Sequence, residues 1–164
     1  MTWGLVGAAA AIFALVALRD ITARTIDDLL LAVLGTLWLG LSVLQGADAA
    51  AMAFHGLVAL AAFAALAGLF ALGWMAGGDV KLAAVVFLWA GPEHAVGMVA
   101  IVAMAGGVVA LGCLMADWLR RLPLPAAVGN GLHLMSATRG VPYGVALSFG
   151  GILAALTYPG GGGG

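Results

Sequence analysis

Two aspartates, Asp20 and Asp79, are the residues of this sequence best placed to do chemistry. Asp20 follows the apolar run 2–18 and Asp79 precedes the apolar run 82–90, so each lies at the end of a predicted helix. Two carboxylates at one depth hold a single proton between them, because two like charges close together cannot both ionise without cost. Such a pair leaves one acid and one base around a water molecule, which is the chemistry of an aspartic protease.

A simpler interpretation also fits these positions. Each aspartate could be an interfacial residue beside a basic one, Arg19 or Arg24 for Asp20 and Lys81 for Asp79. Acids cost much less at the membrane interface than at mid-membrane, so position alone does not require catalysis.

The residues before Asp79 favour the catalytic hypothesis. Gly77 and Gly78 precede it directly, and a glycine backbone bends freely and approaches a substrate closely. We therefore predict an active-site loop here, together with Lys81, which orients the loop or anchors it at the interface. Glycine is also frequent in membrane helices, where paired small residues allow close packing, so a structural role stays open.

The rest of the sequence predicts that membrane helices carry these residues. Of the 164 residues, 65% are hydrophobic and 8% are charged, and the mean hydropathy is +1.18. This composition excludes a soluble globular enzyme, and the net charge of -1 leaves no basic surface for nucleic acid. A bilayer span needs about 20 residues, so we predict an all-α membrane protein with about six transmembrane helices. The apolar runs are 2–18, 29–44, 49–72, 82–90, 97–115 and 141–158, the fourth extending back towards residue 75 and forward to residue 91.

The basic residues predict the orientation of these helices. All of them lie in the first, third and fifth connections: Arg19, Arg24, Lys81, Arg120, Arg121 and Arg139. Positive residues favour the cytoplasmic side, so we expect these connections there and both termini outside. Asp20 and Asp79 then share the cytoplasmic face. We expect one membrane domain over 1–159 and a glycine-rich tail over 160–164.

The other polar residues predict structural roles. Thr25 and Asp28 have the spacing of a capping box at the start of the second helix, Asp48 and Glu93 are expected to cap helices or face solvent, and Asp117 is expected to pair with the arginines that follow it. His55 lies alone in an apolar run, where a hydrogen-bonded packing role is the usual one. Cys113 is the single cysteine, which excludes a disulfide framework or a Cys-x-x-Cys metal module.

Three segments resemble the type IV prepilin peptidases. Residues 77–82, Gly-Gly-Asp-Val-Lys-Leu, are similar to that family's Gly-x-Gly-Asp-x-Lys region. Residues 20–26 resemble its Asp-x-x-x-Arg-x-Ile-Pro-Asn motif at the end of the first helix, and residues 141–146 resemble the Val/Ile-Pro-Tyr-Gly-Val-Ala segment that opens its last helix. The three matches occur in the family's order.

The resemblance implies a membrane-embedded aspartic endopeptidase with Asp20 and Asp79 as its catalytic pair. Such an enzyme removes the leader peptide of a prepilin just after a glycine, at the cytoplasmic face of the bacterial inner membrane. It uses no metal and no cofactor. The expected partners are the single-span prepilin precursor, the lipid bilayer and the pilus assembly machinery. The expected substrate contacts are Arg24, Asp27 and Asp28, and Asp27, Asp28 and Asp117 would offer opposite charge to the basic leader.

The length resembles the short family members that serve tight-adherence, Flp-type pili. These members lack the methyltransferase part with its cysteine pairs, so no methyltransferase activity is expected. Two departures leave other functions open, since Ala76 replaces the first glycine of the Gly-x-Gly-Asp motif and Asp27-Asp28 replace Pro-Asn. The alternatives are an inactive pseudo-peptidase or scaffold of a pilus assembly system and, with His55 as its nearest ionisable group, a small transporter.

Overall fold

The computed structural model describes residues 2–120 and 141–158, and within these residues all regular structure is helical. This confirms the prediction of an all-α protein. The helices are α1 (Thr2–Ala23), α2 (Asp28–Leu44), α3 (Ala49–Ala71), α4 (Gly77–Leu119) and α5 (Tyr143–Thr157). The predictions for Arg121, Arg139 and the tail 160–164 lie outside the described residues.

Helix α4 contains both the fourth and the fifth apolar runs, and it is interrupted at Gly91. Gly91 has φ 63° and ψ −176°, and Pro92 follows it. That backbone conformation is essentially restricted to glycine, and a proline fits the first position of a new helix because its missing N–H is not needed there. The sequence pair Gly-Pro therefore divides α4 into two helical halves.

The two halves of α4 run in opposite directions, as their contacts with α5 show. The second half is antiparallel to α5, because Gly106 lies beside Tyr143 whereas Met98 lies beside Gly150. The first half is parallel to α5. Val86 also contacts Gly150, and the start of this half lies near the start of α5. The chain therefore reverses at Gly91, and six helical stretches alternate in direction.

This alternation gathers the connections at two ends of the bundle. At the aspartate end, defined by the residues around Asp20 and Asp79, the α1–α2 connection, the start of α4 and the start of α5 meet. At the opposite end, a pocket of about 300 Å³ lies between the α2–α3 connection, the turn at Gly91 and the last turn of α5.

Apolar side chains cover the outside of the bundle as well as its interior. Thr2–Ala23, Ala49–Ala71 and Gly77–Leu119 are long and apolar enough to cross a membrane, and α2 and α5 are shorter apolar helices. Helix α3 has no buried residue in its span, and Leu60 on it is 61% exposed. A bilayer solvates such a surface, and helices within a bilayer associate through close packing instead of the hydrophobic effect.

Close packing is achieved at α5 by glycines that face other helices. A Cβ at Gly151 would collide with the ring of Phe13 on α1, and one at Gly150 would lie 2.8 Å from Val102 Cγ2 on the second half of α4. The absence of side chains at these two positions lets α5 approach both neighbours.

A polar and aromatic cluster holds the opposite end together. Tyr158 Oη and Ser42 Oγ are hydrogen-bonded at 2.6 Å, and the Tyr158 ring contacts the rings of Trp38, His55 and Trp89. His55 Nδ1 donates to the carbonyl oxygen of Leu88 at 2.8 Å, which confirms the hydrogen-bonded packing role predicted for this histidine.

The predicted caps and pairs have mixed outcomes. Asp48 caps α3 by accepting the N–H of Ala51 at 2.6 Å, as expected, and Asp117 pairs with Arg120 at 3.6 Å. Glu93 is solvent-exposed, as expected. The predicted capping box at Thr25 is wrong, because α2 begins at Asp28, two residues later than that box requires, and its N-cap is Asp27.

Replacement of Gly91 by alanine is expected to lower the free energy of unfolding by about 2 kcal/mol or more, since the backbone is strained for any other residue and a Cβ meets the His55 ring. Thermal unfolding in detergent measures this. Gly97→Ala is the control, because Gly97 is helical and a Cβ there meets nothing within 4 Å. Equal unfolding temperatures for the two variants would contradict the role of the turn.

Candidate active site

Asp20 and Asp79 come from different helices and lie close together. Asp20 is in the last turns of α1 and Asp79 is in the first turn of α4. Their exposed fractions are only 6% and 7%, and their carboxylates are near enough for the charge of Asp20 to act on Asp79. The structure thus brings together the two residues that the sequence singles out.

The start of α4 positions Asp79. Ala76 is the N-cap and Asp79 is the third residue of the helix. An acid in the first turn interacts favourably with the partial positive charge of the helix N-terminus. The first turn of α4 therefore suits a carboxylate at this position.

The structure differs from the sequence prediction at Gly77 and Gly78. These glycines form the first turn of α4 and not a loop. A Cβ at Gly78 would lie 3.3 Å from Ile26 Cβ in the α1–α2 connection, so the small residue lets that connection pack against the start of α4. Ala76, the departure from the family motif, is accommodated as an extended N-cap residue.

The start of α5 positions Asp20. The backbone of Gly144 lies directly against the Asp20 carboxylate, because a Cβ at Gly144 would lie 2.7 Å from Asp20 Oδ2. Sequence reasoning singled out residues 141–146 only as a matching segment and gave Gly144 no role. The sequence signal for Gly144 is its position two residues after Pro142, at the start of a helix. That signal is weak, because ordinary side chains also fit at helix starts.

Arg24 directly follows the last residue of α1 and has a left-handed backbone conformation. Its φ is 55°, its N–H donates to the carbonyl oxygen of Asp20 at 3.2 Å, and its charge acts on both Asp20 and Asp79. A left-handed conformation costs a residue other than glycine about 1–2 kcal/mol. The chain accepts this cost at a residue whose positive charge offsets the repulsion between two carboxylates.

Two ion pairs lie beside the aspartates. Lys81 Nζ donates to Asp28 at 2.8 Å and so joins the start of α4 to the start of α2, while Arg19 pairs with Asp27. All four side chains are substantially exposed, so each pair is worth only about 0–1 kcal/mol. Asp27 and Asp28, predicted as contacts for a basic leader, are engaged within the protein.

The site offers carboxylates and backbone donors but no metal-binding set. Within residues 2–120 and 141–158, no three His, Cys, Asp or Glu side chains are grouped so as to hold a metal ion. Cys113 is a buried free thiol in this part of the chain.

The fold and the site define a class of protein, a helical membrane protein with two buried aspartates that meet at one end of its bundle. Comparison with known families is more specific, since the model of the type IV leader peptidase family matches residues 7–111, a span that contains both aspartates. The chain belongs to this family of peptidases. Searches of curated proteins and of solved structures find no match.

Replacement of Arg24 by glycine is expected to separate stability from activity. Relief of the left-handed strain adds about 1 kcal/mol to the free energy of unfolding, but loss of the positive charge beside two buried carboxylates opposes this gain, so the unfolding temperature should change little. Its peptidase activity should fall about tenfold or more, because the carboxylates lose the charge that offsets their repulsion.

Arg24→Lys is the matched control, since it keeps both the charge and the strain. It should retain most of the activity and gain no stability. Thermal unfolding and leader-peptide cleavage measured on the same preparations distinguish the two variants, and full activity in Arg24→Gly would contradict the electrostatic role.

Proposed function

We propose that this protein is a membrane-embedded aspartic endopeptidase that removes the leader peptide of Flp-type type IV prepilins after a glycine, at the cytoplasmic face of the bacterial inner membrane. The observation that carries the proposal is the meeting of Asp20 and Asp79, two buried carboxylates from separate helices, inside a chain of the leader peptidase family. The Flp-type substrate rests on the short length and on the resemblance of the motifs.

The paired carboxylates account for peptide hydrolysis without a covalent intermediate. One aspartate takes a proton from water as the water oxygen attacks the scissile carbonyl carbon, and a tetrahedral intermediate with an anionic oxygen forms. The other aspartate gives its proton to the amide nitrogen, the C–N bond breaks, and the leader leaves with a free carboxyl group. One aspartate has then gained a proton and the other has lost one, and proton exchange with water restores the starting arrangement of the singly protonated pair.

The cytoplasmic location is supported by charge. Arg19, Arg24, Lys81 and Arg120 belong to elements that end or begin at the aspartate end of the bundle. The positive-inside rule places that end in the cytoplasm. Because the six helical stretches alternate in direction, we propose six membrane crossings with both termini outside.

An apolar groove supports a substrate that is itself a membrane helix. The groove has a volume of about 560 Å³ and lies between α3, both halves of α4 and α5. Its α3 wall consists of three alanines together with Val58 and Leu66, and Met75 and Tyr143 are at the end nearer the aspartates. Met75 and Tyr143 adjoin Ala76, the N-cap of the helix that carries Asp79, and Gly144, whose backbone lies against Asp20. A helix in the groove would therefore deliver its preceding segment to the site.

Conversion of either aspartate to asparagine is expected to abolish cleavage. Asp20→Asn and Asp79→Asn keep the side-chain shape but remove the acid or base, so each should reduce kcat by several orders of magnitude, about 10³-fold or more. The measurement is cleavage of a Flp-type prepilin by the purified protein in liposomes, followed by mass spectrometry of the products.

Asp48→Asn is the control, because Asp48 caps α3 at the other end of the bundle. It should leave cleavage unchanged. A folded parent that cuts no prepilin would favour a pseudo-peptidase or scaffold, and a fully active Asp20 or Asp79 variant would exclude the paired-aspartate mechanism.

Photo-crosslinking is expected to place the precursor helix in the groove. A photoreactive residue at Val99, which lines the groove, should crosslink to the apolar segment of an uncleaved precursor added to the Asp79→Asn protein. The same residue at Met104, exposed on the other side of the second half of α4, should give at most about a tenth of that yield. Equal yields would indicate that lipid alone fills the groove.

A further inference from the structure

We propose that Ser148 is a positioning residue that holds the Asp20 carboxylate in place through one buried water molecule between α1 and α5. This inference rests on the proposed aspartic peptidase function. It adds to the site a residue that lies outside the matching segment 141–146.

Ser148 carries a buried hydroxyl that has no protein partner. The residue is 0% exposed, and its Oγ makes no hydrogen bond within residues 2–120 and 141–158. A serine inside a helix commonly bonds to the carbonyl oxygen four residues earlier, as Ser42 does with Trp38. Buried polar groups are generally paired with the chain or with ordered water, so the Ser148 hydroxyl is a candidate for a bond to water.

Asp20 has an acceptor atom in the same situation. Its Oδ2 is buried and accepts no hydrogen bond from the described part of the chain. This oxygen is also the Asp20 atom nearest to a Cβ built at Gly144, at 2.7 Å, so it is turned towards α5. An unpaired donor on α5 therefore matches an unpaired acceptor on α1.

The contacts between α1 and α5 place these two atoms along one interface. Gly144 lies against Asp20. Further along α5, Gly151 lies against Phe13, which comes earlier on α1, so the two helices are antiparallel. Residues 144, 148 and 151 share one face of a helix with 3.6 residues per turn. Ser148 therefore faces α1, about one turn of α5 away from the contact with Asp20.

The two side chains lean towards each other. Side chains of an α-helix lean towards the N-terminus of their own helix, and in an antiparallel pair these directions are opposite. Asp20 thus leans towards the level of Ser148, and Ser148 leans towards the level of Gly144. One helical turn is about 5.4 Å, and two O–H···O bonds in series span about 5.5 Å. A single water between the two oxygens therefore reaches both.

A water held in this way orients the carboxylate. It accepts the Ser148 hydroxyl and donates to Asp20 Oδ2, and a buried water needs two to four such polar partners. The bond restrains rotation of the carboxylate, and so it restrains the direction in which the other oxygen points. Catalytic groups work only within a narrow range of positions, so this restraint contributes to the rate.

The first test compares Ser148→Ala with Ser42→Ala. Each variant removes one fully buried hydroxyl, since Ser42 is also 0% exposed, but Ser42 bonds to Tyr158 at the opposite end of the bundle. Both variants should fold, with similar small decreases in unfolding temperature. Only Ser148→Ala should lower kcat for prepilin cleavage, about tenfold, the rate equivalent of one hydrogen bond, with KM changed less than about twofold.

The second test uses infrared spectroscopy and needs no cleavage. The carboxyl stretching band of Asp20 is identified as the band that Asp20→Asn removes. It should shift in Ser148→Ala and stay in place in Ser42→Ala. The buried water should give an O–H stretching band that isotope-labelled water shifts and that Ser148→Ala removes.

Four outcomes overturn the proposal: an unchanged kcat in Ser148→Ala, equal losses of kcat in the two variants, an unmoved Asp20 band, or no water band that depends on Ser148. Any of these leaves the proposed function standing if the parent cleaves prepilin. A parent that cuts no prepilin overturns the proposed function and with it the catalytic role of Ser148, whereas the infrared bands report on the water in either case.

Discussion

The structure is organised around the cost of burying two carboxylates beside each other. Like charges in a poorly solvated site repel strongly, and an unpaired buried charge is among the most destabilising features a protein can hold. Asp20 and Asp79 are tolerated because the positive charge of Arg24 acts on both and because each carboxylate lies at a helix N-terminus, Asp20 against the start of α5 and Asp79 in the first turn of α4. These parts of the chain are far apart in sequence, so the site exists only when the bundle is assembled.

Assembly depends on two features that bring helix ends together. The turn at Gly91 reverses α4, which allows its start to lie beside α1 while its second half packs against α5. The glycines of α5 remove side chains at the contacts with α1 and α4, and this permits the close approach that a bilayer rewards. The far end of α5 is fixed by the bond between Tyr158 and Ser42, so the helix that holds Asp20 is attached to the bundle at both ends.

The sequence predicts the parts of this arrangement that depend on local pattern. Apolar runs mark the helical stretches and Asp48 marks a helix start, because each reflects the preferences of a few neighbouring residues. The contact between Gly144 of α5 and Asp20 was not predictable in this way, since it joins residues more than 120 positions apart and one side of it is backbone. Gly77 and Gly78 were predicted as a loop because glycine permits both a loop and a tight helical turn, and only the packing of Ile26 decides between them. Thr25 is not the N-cap of α2 as expected. Arg24 already ends α1 in a left-handed turn, and α2 therefore begins later.

The shortness of α5 has a consequence for the supply of water. Its 15 residues give a length of about 22 Å at 1.5 Å per residue, against about 30 Å of hydrocarbon. In the proposed six-span arrangement, a helix this short favours local thinning of the bilayer around α5, which would bring the headgroup layer and its water nearer to the aspartates.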